Sequence, residues 1–242
     1  KVSGHDEMCT LHGSFANMQQ SLLKYVDELQ ITAASKERIE SELRIARSIQ
    51  MGMVPKVFPP FPEREDIDLY SKLLPAREVG GDLYDFFIEN EKLHFIVGDV
   101  SGKGVPASLV MAVTCRLFRT IAYNVDTPEG IVSTLNDALS ESNESNMFCT
   151  AFVGILDLKS GELRYCNAGH NPPIILHADG RVLPMKVMSN IAMGVWSGFE
   201  YVGEACNVDS GSSLFIYTDG ATEAENADKE LYSEQRLIQE LE

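Results

Sequence analysis

Apolar residues recur at helical spacing over the first fifty positions and at strand spacing beyond residue 62. Leu22, Val26, Leu29 and Ala33, then Ile39, Leu43, Ala46 and Met53, fall three, four or a few residues apart. That spacing predicts an amphipathic helix to about residue 53, with a one-residue slip in phase between Ala33 and Ile39. Such a stripe suits packing against its own domain or pairing with a second helix. The reading adopted is a parallel homodimer formed through this helix. Pro55, Pro59, Pro60 and Pro62 end it and mark a boundary.

Beyond the prolines, short runs predict strands at 67–74, 84–89, 92–99, 149–157, 162–168, 173–178, 200–206 and 213–218. Glu89-Asn90-Glu91, Lys159-Ser160-Gly161 and Ala178-Asp179-Gly180 read as hairpin turns. One helix is expected from Pro106 through Tyr123, a second from Thr127-Pro128 to about Ser142, and a third from Ser233. Hairpins interrupted by a helix pair point to antiparallel sheets covered by helices, not to a doubly wound parallel sheet. The fold class expected is therefore α+β.

Composition narrows the function. The chain has 242 residues, 44% of them hydrophobic, and a net charge of −16. The charge argues against a nucleic-acid surface, which needs clustered Lys and Arg. The five cysteines are scattered, with no CxxC, and most of them read as small core residues of a reduced, cytoplasmic protein. No apolar run is expected to reach the ~18 residues of a membrane span. The chain starts at Lys1 without Met, so it is expected to be part of a longer protein.

Candidate chemistry gathers at three Asp-Gly turns: Gly80-Gly81-Asp82, the stretch Gly98-Asp99-Val100-Ser101-Gly102-Lys103-Gly104, and Tyr217-Thr218-Asp219-Gly220. Two of them follow the apolar runs Phe95-Ile96-Val97 and Leu214-Phe215-Ile216 directly. Alternation puts Phe95, Val97 and Asp99 on one strand face, so the carboxylate emerges at a sheet rim. Carboxylates brought together share a proton or a cation, and an all-oxygen site suits Mn²⁺ or Mg²⁺. There is no Gly-x-Ser-x-Gly elbow, Cys-x5-Arg loop or P-loop.

The segments Arg77 to Asp85, 98–109, Asn167-Ala168-Gly169-His170-Asn171-Pro172-Pro173 and Tyr217 to Glu223 resemble the SpoIIE/RsbU-type serine phosphatases, the bacterial branch of the metal-dependent PPM (type 2C) family. The resemblance covers residues from about 50 onward. It implies a sandwich of two antiparallel sheets flanked by helix pairs and a centre of two Mn²⁺ or Mg²⁺ ions. By the family pattern Asp99 would bridge both ions and the Val100 carbonyl would join one. Asp219 would be a direct ligand and Asp82 a direct or water-mediated one. Arg77 stands where some members carry a phosphate-binding arginine; a solvated loop arginine is the alternative. Glu78 either supports a ligand from behind or is exposed. Lys103 is expected at the surface, and His170 is expected to shape its turn through backbone bonds, not to act as an acid. The family's closing Asp-Asp-x-Thr strand is missing before Glu242.

Asp6-Glu7-Met8, Leu11, Ser14-Phe15, Met18 and Leu22 resemble the second helix of a HAMP module, and Glu42 to Gln50 resemble the helical linker that precedes such phosphatases. The expected layout is a HAMP-like helix over 1–27, a coiled-coil linker over 28–54 and the phosphatase domain over 55–242. It would be the cytoplasmic output end of a membrane-anchored sensor, without membrane contact of its own. The resemblance implies a phosphorylated protein substrate, a STAS-type anti-sigma-factor antagonist. The alternative is a catalytically silent module that binds and regulates a partner. A diguanylate cyclase, prompted by Gly80-Gly81-Asp82, fares badly because Leu83 replaces the expected Glu.

Overall fold

The computed structural model describes residues 7–76, 78–141 and 143–242. Arg77 lies outside them, as does Asp6 of the HAMP-like segment. Helix α1 (Glu7–Met51) is 45 residues long, and residues up to Arg47 form one unit. On it Met8, Leu11, Phe15, Met18, Leu22, Tyr25 and Leu29 are all exposed, at steps alternating between three and four. That is a heptad seam uncovered by anything within its own unit. The ion pairs Lys24–Glu28, Lys36–Glu40 and Arg38–Glu42 line its outside. At about 0.3–0.5 kcal/mol each they cannot hold so long a helix alone.

The compact unit starts at Ser48, inside the last turn of α1 and upstream of the prolines. Its first sheet has the order β1-β2-β3-β4-β7, all antiparallel: β1 (Leu83–Glu89), β2 (Lys92–Val100), β3 (Cys149–Asp157), β4 (Glu162–Ala168) and β7 (Glu204–Asn207). The second sheet has the order β6-β5-β8, with β5 (Ile174–Leu176), β6 (Val182–Pro184) and β8 (Ser213–Phe215). Strand alternation makes a sandwich. Ile175, Leu214 and Ile216 pack into the main core, whereas Ile174, Leu176, Phe215 and Tyr217 face the other way. Leu237 and Ile238 of α5 (Glu234–Leu241) cover that outer face.

On the first sheet lie α2 (Val105–Ala122) and α3 (Pro128–Ser140). Thr127 caps α3 by accepting from the Gly130 N–H at 3.2 Å, with Pro128 in the first turn. Helix α2 buries Ala107, Met111, Thr114, Cys115, Phe118 and Ala122. It corrects one expectation: by length and composition this 18-residue helix is apolar enough to cross a membrane. Its contacts with β1, β2 and α3 give it the place of a core helix.

Most strands fall where expected, with β3 and β4 matching to the residue. The 67–74 strand does not form. Ile67, Leu69 and Leu73 do pack against the core while Asp68, Tyr70 and Lys72 stay exposed, so the alternation is real. Among the described residues no strand pairs with it, and it lies on the core as irregular chain. Strand β6 and the single turn α4 (Asp219–Thr222) were not anticipated, being three and four residues long.

Candidate functional site

The site is set by strand register. Leu83 pairs with Gly98 across β1 and β2, so the next step of the ladder brings Asp82 opposite Asp99. Asp99 in turn pairs with Thr150 at the start of β3. The close approach depends on glycine. A Cβ on Gly81 would stand 2.7 Å from the Val100 carbonyl oxygen and 3.3 Å from Asp99 Oδ1, and one on Gly98 would stand 2.7 Å from the Thr150 oxygen.

Asp82 and Asp99 are half-buried and hydrogen-bond to each other through their carboxyl groups. Burial first, and then the charges of Asp82 and Asp219, push Asp99 up to about 7, against the Val100 N–H that favours its charged form. Asp82 is likewise raised, chiefly by burial, with a bond from Thr218 opposing. The pair therefore holds a proton near neutrality in the absence of a cation.

Asp219 begins α4 and is exposed. Its charge reaches both Asp82 and Asp99. Yet among the described residues no three acidic, histidine or cysteine side chains converge tightly enough to hold one ion. The turns are thus gathered as the sequence predicts, but as a close pair with a third carboxylate standing off. The donor set, two carboxylates that repel when ionised beside the Val100 carbonyl, fits a hard cation. Glu78 and Lys103 are exposed.

His170 is buried, at 5% exposure. Its main chain is clasped by the Asn167 side chain, which donates to the His170 carbonyl at 2.9 Å and accepts from its N–H at 3.0 Å. Its Nδ1 lies 3.1 Å from Thr150 Oγ1, which donates to the Asp99 carbonyl at 3.4 Å. Nε2 faces the Tyr217 backbone without hydrogen-bond geometry. Burial pushes the imidazole down to about 4, against the Tyr217 backbone and the Asp219 charge, so it is neutral at pH 7. It braces the turn, as the sequence suggests, and through Thr150 it also reaches the Asp99 strand.

Two supports were not anticipated. Arg119 of α2 donates to the buried carboxylate of Asp85 through Nε at 2.7 Å and Nη2 at 2.6 Å, three residues along β1 from Asp82. Gln50, buried in the last turn of α1, donates from Nε2 to the Gly80 carbonyl at 2.6 Å and accepts from the Gly80 N–H at 3.2 Å. A carboxylate inside the buried run of β1 is the one sequence signal for the first, since such a charge demands a partner.

Residues 89–242 match the family described as Stage II sporulation protein E (SpoIIE). The chain belongs to the SpoIIE family. The matched stretch includes Asp99 and Asp219, and Asp82 lies just before it. This SpoIIE-family chain is 29% identical over 265 residues to Protein IcfG of Synechocystis sp., covering 98% of the chain and 40% of that protein. It is 26% identical over 216 residues to phosphoserine phosphatase RsbU of Bacillus subtilis, covering 88% of the chain and 63% of that protein. The chain thus spans less than two thirds of either relative. The solved SiaA-PP2C domain of Pseudomonas aeruginosa shares the fold, with a TM-score of 0.72 at 20% identity over 86% of this chain and 83% of that one.

Proposed function

We propose that the chain is a metal-dependent phosphatase acting on phosphoserine or phosphothreonine of a protein. The observation that carries this is the Asp82–Asp99 pair, both raised chiefly by burial and then by neighbouring negative charge, beside a Val100 carbonyl that only Gly81 lets so near. When bound, Mn²⁺ or Mg²⁺ would supply Lewis acidity and charge neutralisation toward a phosphoryl group. Asp82, Asp99 and the Val100 carbonyl would hold it, with Asp219 adding charge from the second sheet. The protein keeps the two carboxylates in register through β1–β2 pairing, and His170 holds Thr150 against the Asp99 main chain without carrying a charge of its own. Hydrolysis of p-nitrophenyl phosphate and of a phosphoserine protein that depends on added Mn²⁺ tests the reading; absence of any turnover with Mn²⁺ or Mg²⁺ would reject it.

By family resemblance the substrate is a phosphorylated STAS-type anti-sigma-factor antagonist, and the chain is the cytoplasmic output end of a membrane-anchored sensor. The exposed seam on α1 supports homodimerisation through that helix. A second reading, a weakly catalytic or silent module that binds a partner, is favoured by one observation: Asp219 stands apart from the acidic pair.

A further inference from the structure

The segment between β6 and β7 carries the chain's one tryptophan, and Trp196 is 68% exposed with Val195 beside it at 59%. Exposure of this kind normally accompanies a mobile tip. Here four hydrogen bonds clamp the backbone and a fifth holds the Ser197 side chain. Buried Asn136 of α3 donates to the Trp196 carbonyl at 2.9 Å and accepts from the Gly194 N–H at 2.9 Å. Asp137 Oδ1 accepts from the Gly198 N–H at 2.7 Å and from Ser197 Oγ at 3.2 Å. Asn143 donates to the Gly194 carbonyl at 3.0 Å. Gly194 has φ +87°, and a Cβ there would meet the Met147 carbonyl at 3.0 Å, so the turn admits little but glycine.

The same turn is tied by backbone bonds to the loop after Asp99. Met193 bridges Cys149, and the neighbouring Phe148, itself 41% exposed, bonds Ser101 twice: the Ser101 N–H donates to the Phe148 carbonyl at 2.8 Å, and the Phe148 N–H donates to Ser101 Oγ at 2.9 Å. Ser101 is two residues from Asp99. Three exposed apolar residues, Phe148, Val195 and Trp196, thus lie on segments that backbone bonds tie to the loop after Asp99, and they are taken together as a shelf.

We infer that this shelf docks apolar residues flanking the phosphoserine of the substrate, an inference that rests on the phosphatase reading. Charge selects that occupant. Residues 191–202 contain no Lys or Arg and one acid, Glu200, and the chain as a whole carries −16. An acidic phosphopeptide finds no cation on the shelf and is repelled by the bulk of the molecule, so affinity beside the phosphate comes from apolar contact. A rigid, solvent-facing tryptophan supplies it at little entropic cost.

Trp196 is also its own probe, because no other tryptophan emits. Two phosphoserine peptides of equal charge, one with Leu and one with Ser at the positions flanking the phosphoserine, are titrated while Trp emission is followed. Their Mn²⁺-dependent hydrolysis is measured beside that of p-nitrophenyl phosphate. The Leu peptide should shift the emission to the blue and bind about tenfold more tightly than the Ser peptide. Trp196→Ala should erase that preference in KM and leave p-nitrophenyl phosphate turnover unchanged, with Trp196→Phe in between. Equal binding of the two peptides, or an equal loss on all three substrates, overturns the inference. So does a change of oligomeric state in Trp196→Ala by light scattering, which would assign the shelf to a second copy of the chain. Binding with the expected preference but no turnover of any substrate would instead reject the phosphatase reading alone.

Discussion

Arg119 holds the buried carboxylate of Asp85 with two nitrogens, at 2.6 and 2.7 Å, and so ties helix α2 to the strand that leads out of Asp82. The partners are unequal: the Asp85 side chain is 3% exposed and that of Arg119 is 39% exposed. Arg119→Ala should therefore destabilise more than Asp85→Asn. The first leaves a charge buried without a partner, worth about 3 kcal/mol, whereas a freed arginine can turn to water. Denaturant melts of both variants and of the double variant check the asymmetry; equal losses would contradict it.

Asp99→Asn should lower Mn²⁺-dependent phosphatase turnover by about a hundredfold or more, roughly 3 kcal/mol of barrier. An amide cannot share a cation's charge with Asp82. Near-normal turnover at saturating Mn²⁺ would remove Asp99 from the site.

The metal-free protein should lose stability as pH rises. Asp99 is near 3.8 when unfolded and is pushed up to about 7 when folded, so the folded state holds the extra proton between those values. Its contribution is fully present below pH 4 and is lost on passing through about pH 7. Thermal melts in chelator from pH 5 to 8 should show a falling midpoint that flattens in Asp99→Asn. Adding Mn²⁺ at pH 8 should restore the midpoint of the native chain and not that of the variant.

Asp219→Asn should weaken Mn²⁺ affinity less than Asp82→Asn or Asp99→Asn, because Asp219 is exposed and acts on the pair through its field. Calorimetric titration of the three variants ranks them. The largest loss falling on Asp219 would mean that it is the primary ligand.

The exposed seam from Met8 to Leu29 should make the chain dimeric, and a version starting at Ser48 should be monomeric. Light scattering at tens of micromolar reads both, and a monomeric long chain would reject pairing.

The acidic turns were legible because an apolar run ending in Asp-Gly needs only local sequence to be recognised. Strands β3 and β4 were legible for the same reason, alternation bounded by turns. Contacts between distant segments were not. Gln50 and Gly80 are thirty residues apart, Asp85 and Arg119 thirty-four, and neither partner marks the other in sequence. The 67–74 segment shows the opposite limit: its pattern reports half-burial faithfully, but a strand also needs a neighbour with free hydrogen-bonding groups.

The Gln50 clasp on Gly80 has a consequence for how such proteins are assembled from parts. The helix end reads as a connector, yet its last turn supplies two of the hydrogen bonds that shape the loop before Asp82. The natural seam for exchanging upstream modules therefore falls between Arg47 and Ser48, within a continuous helix, and not at the prolines that punctuate the sequence. A graft joined there keeps the loop's own scaffolding, while one joined at Pro55 removes it.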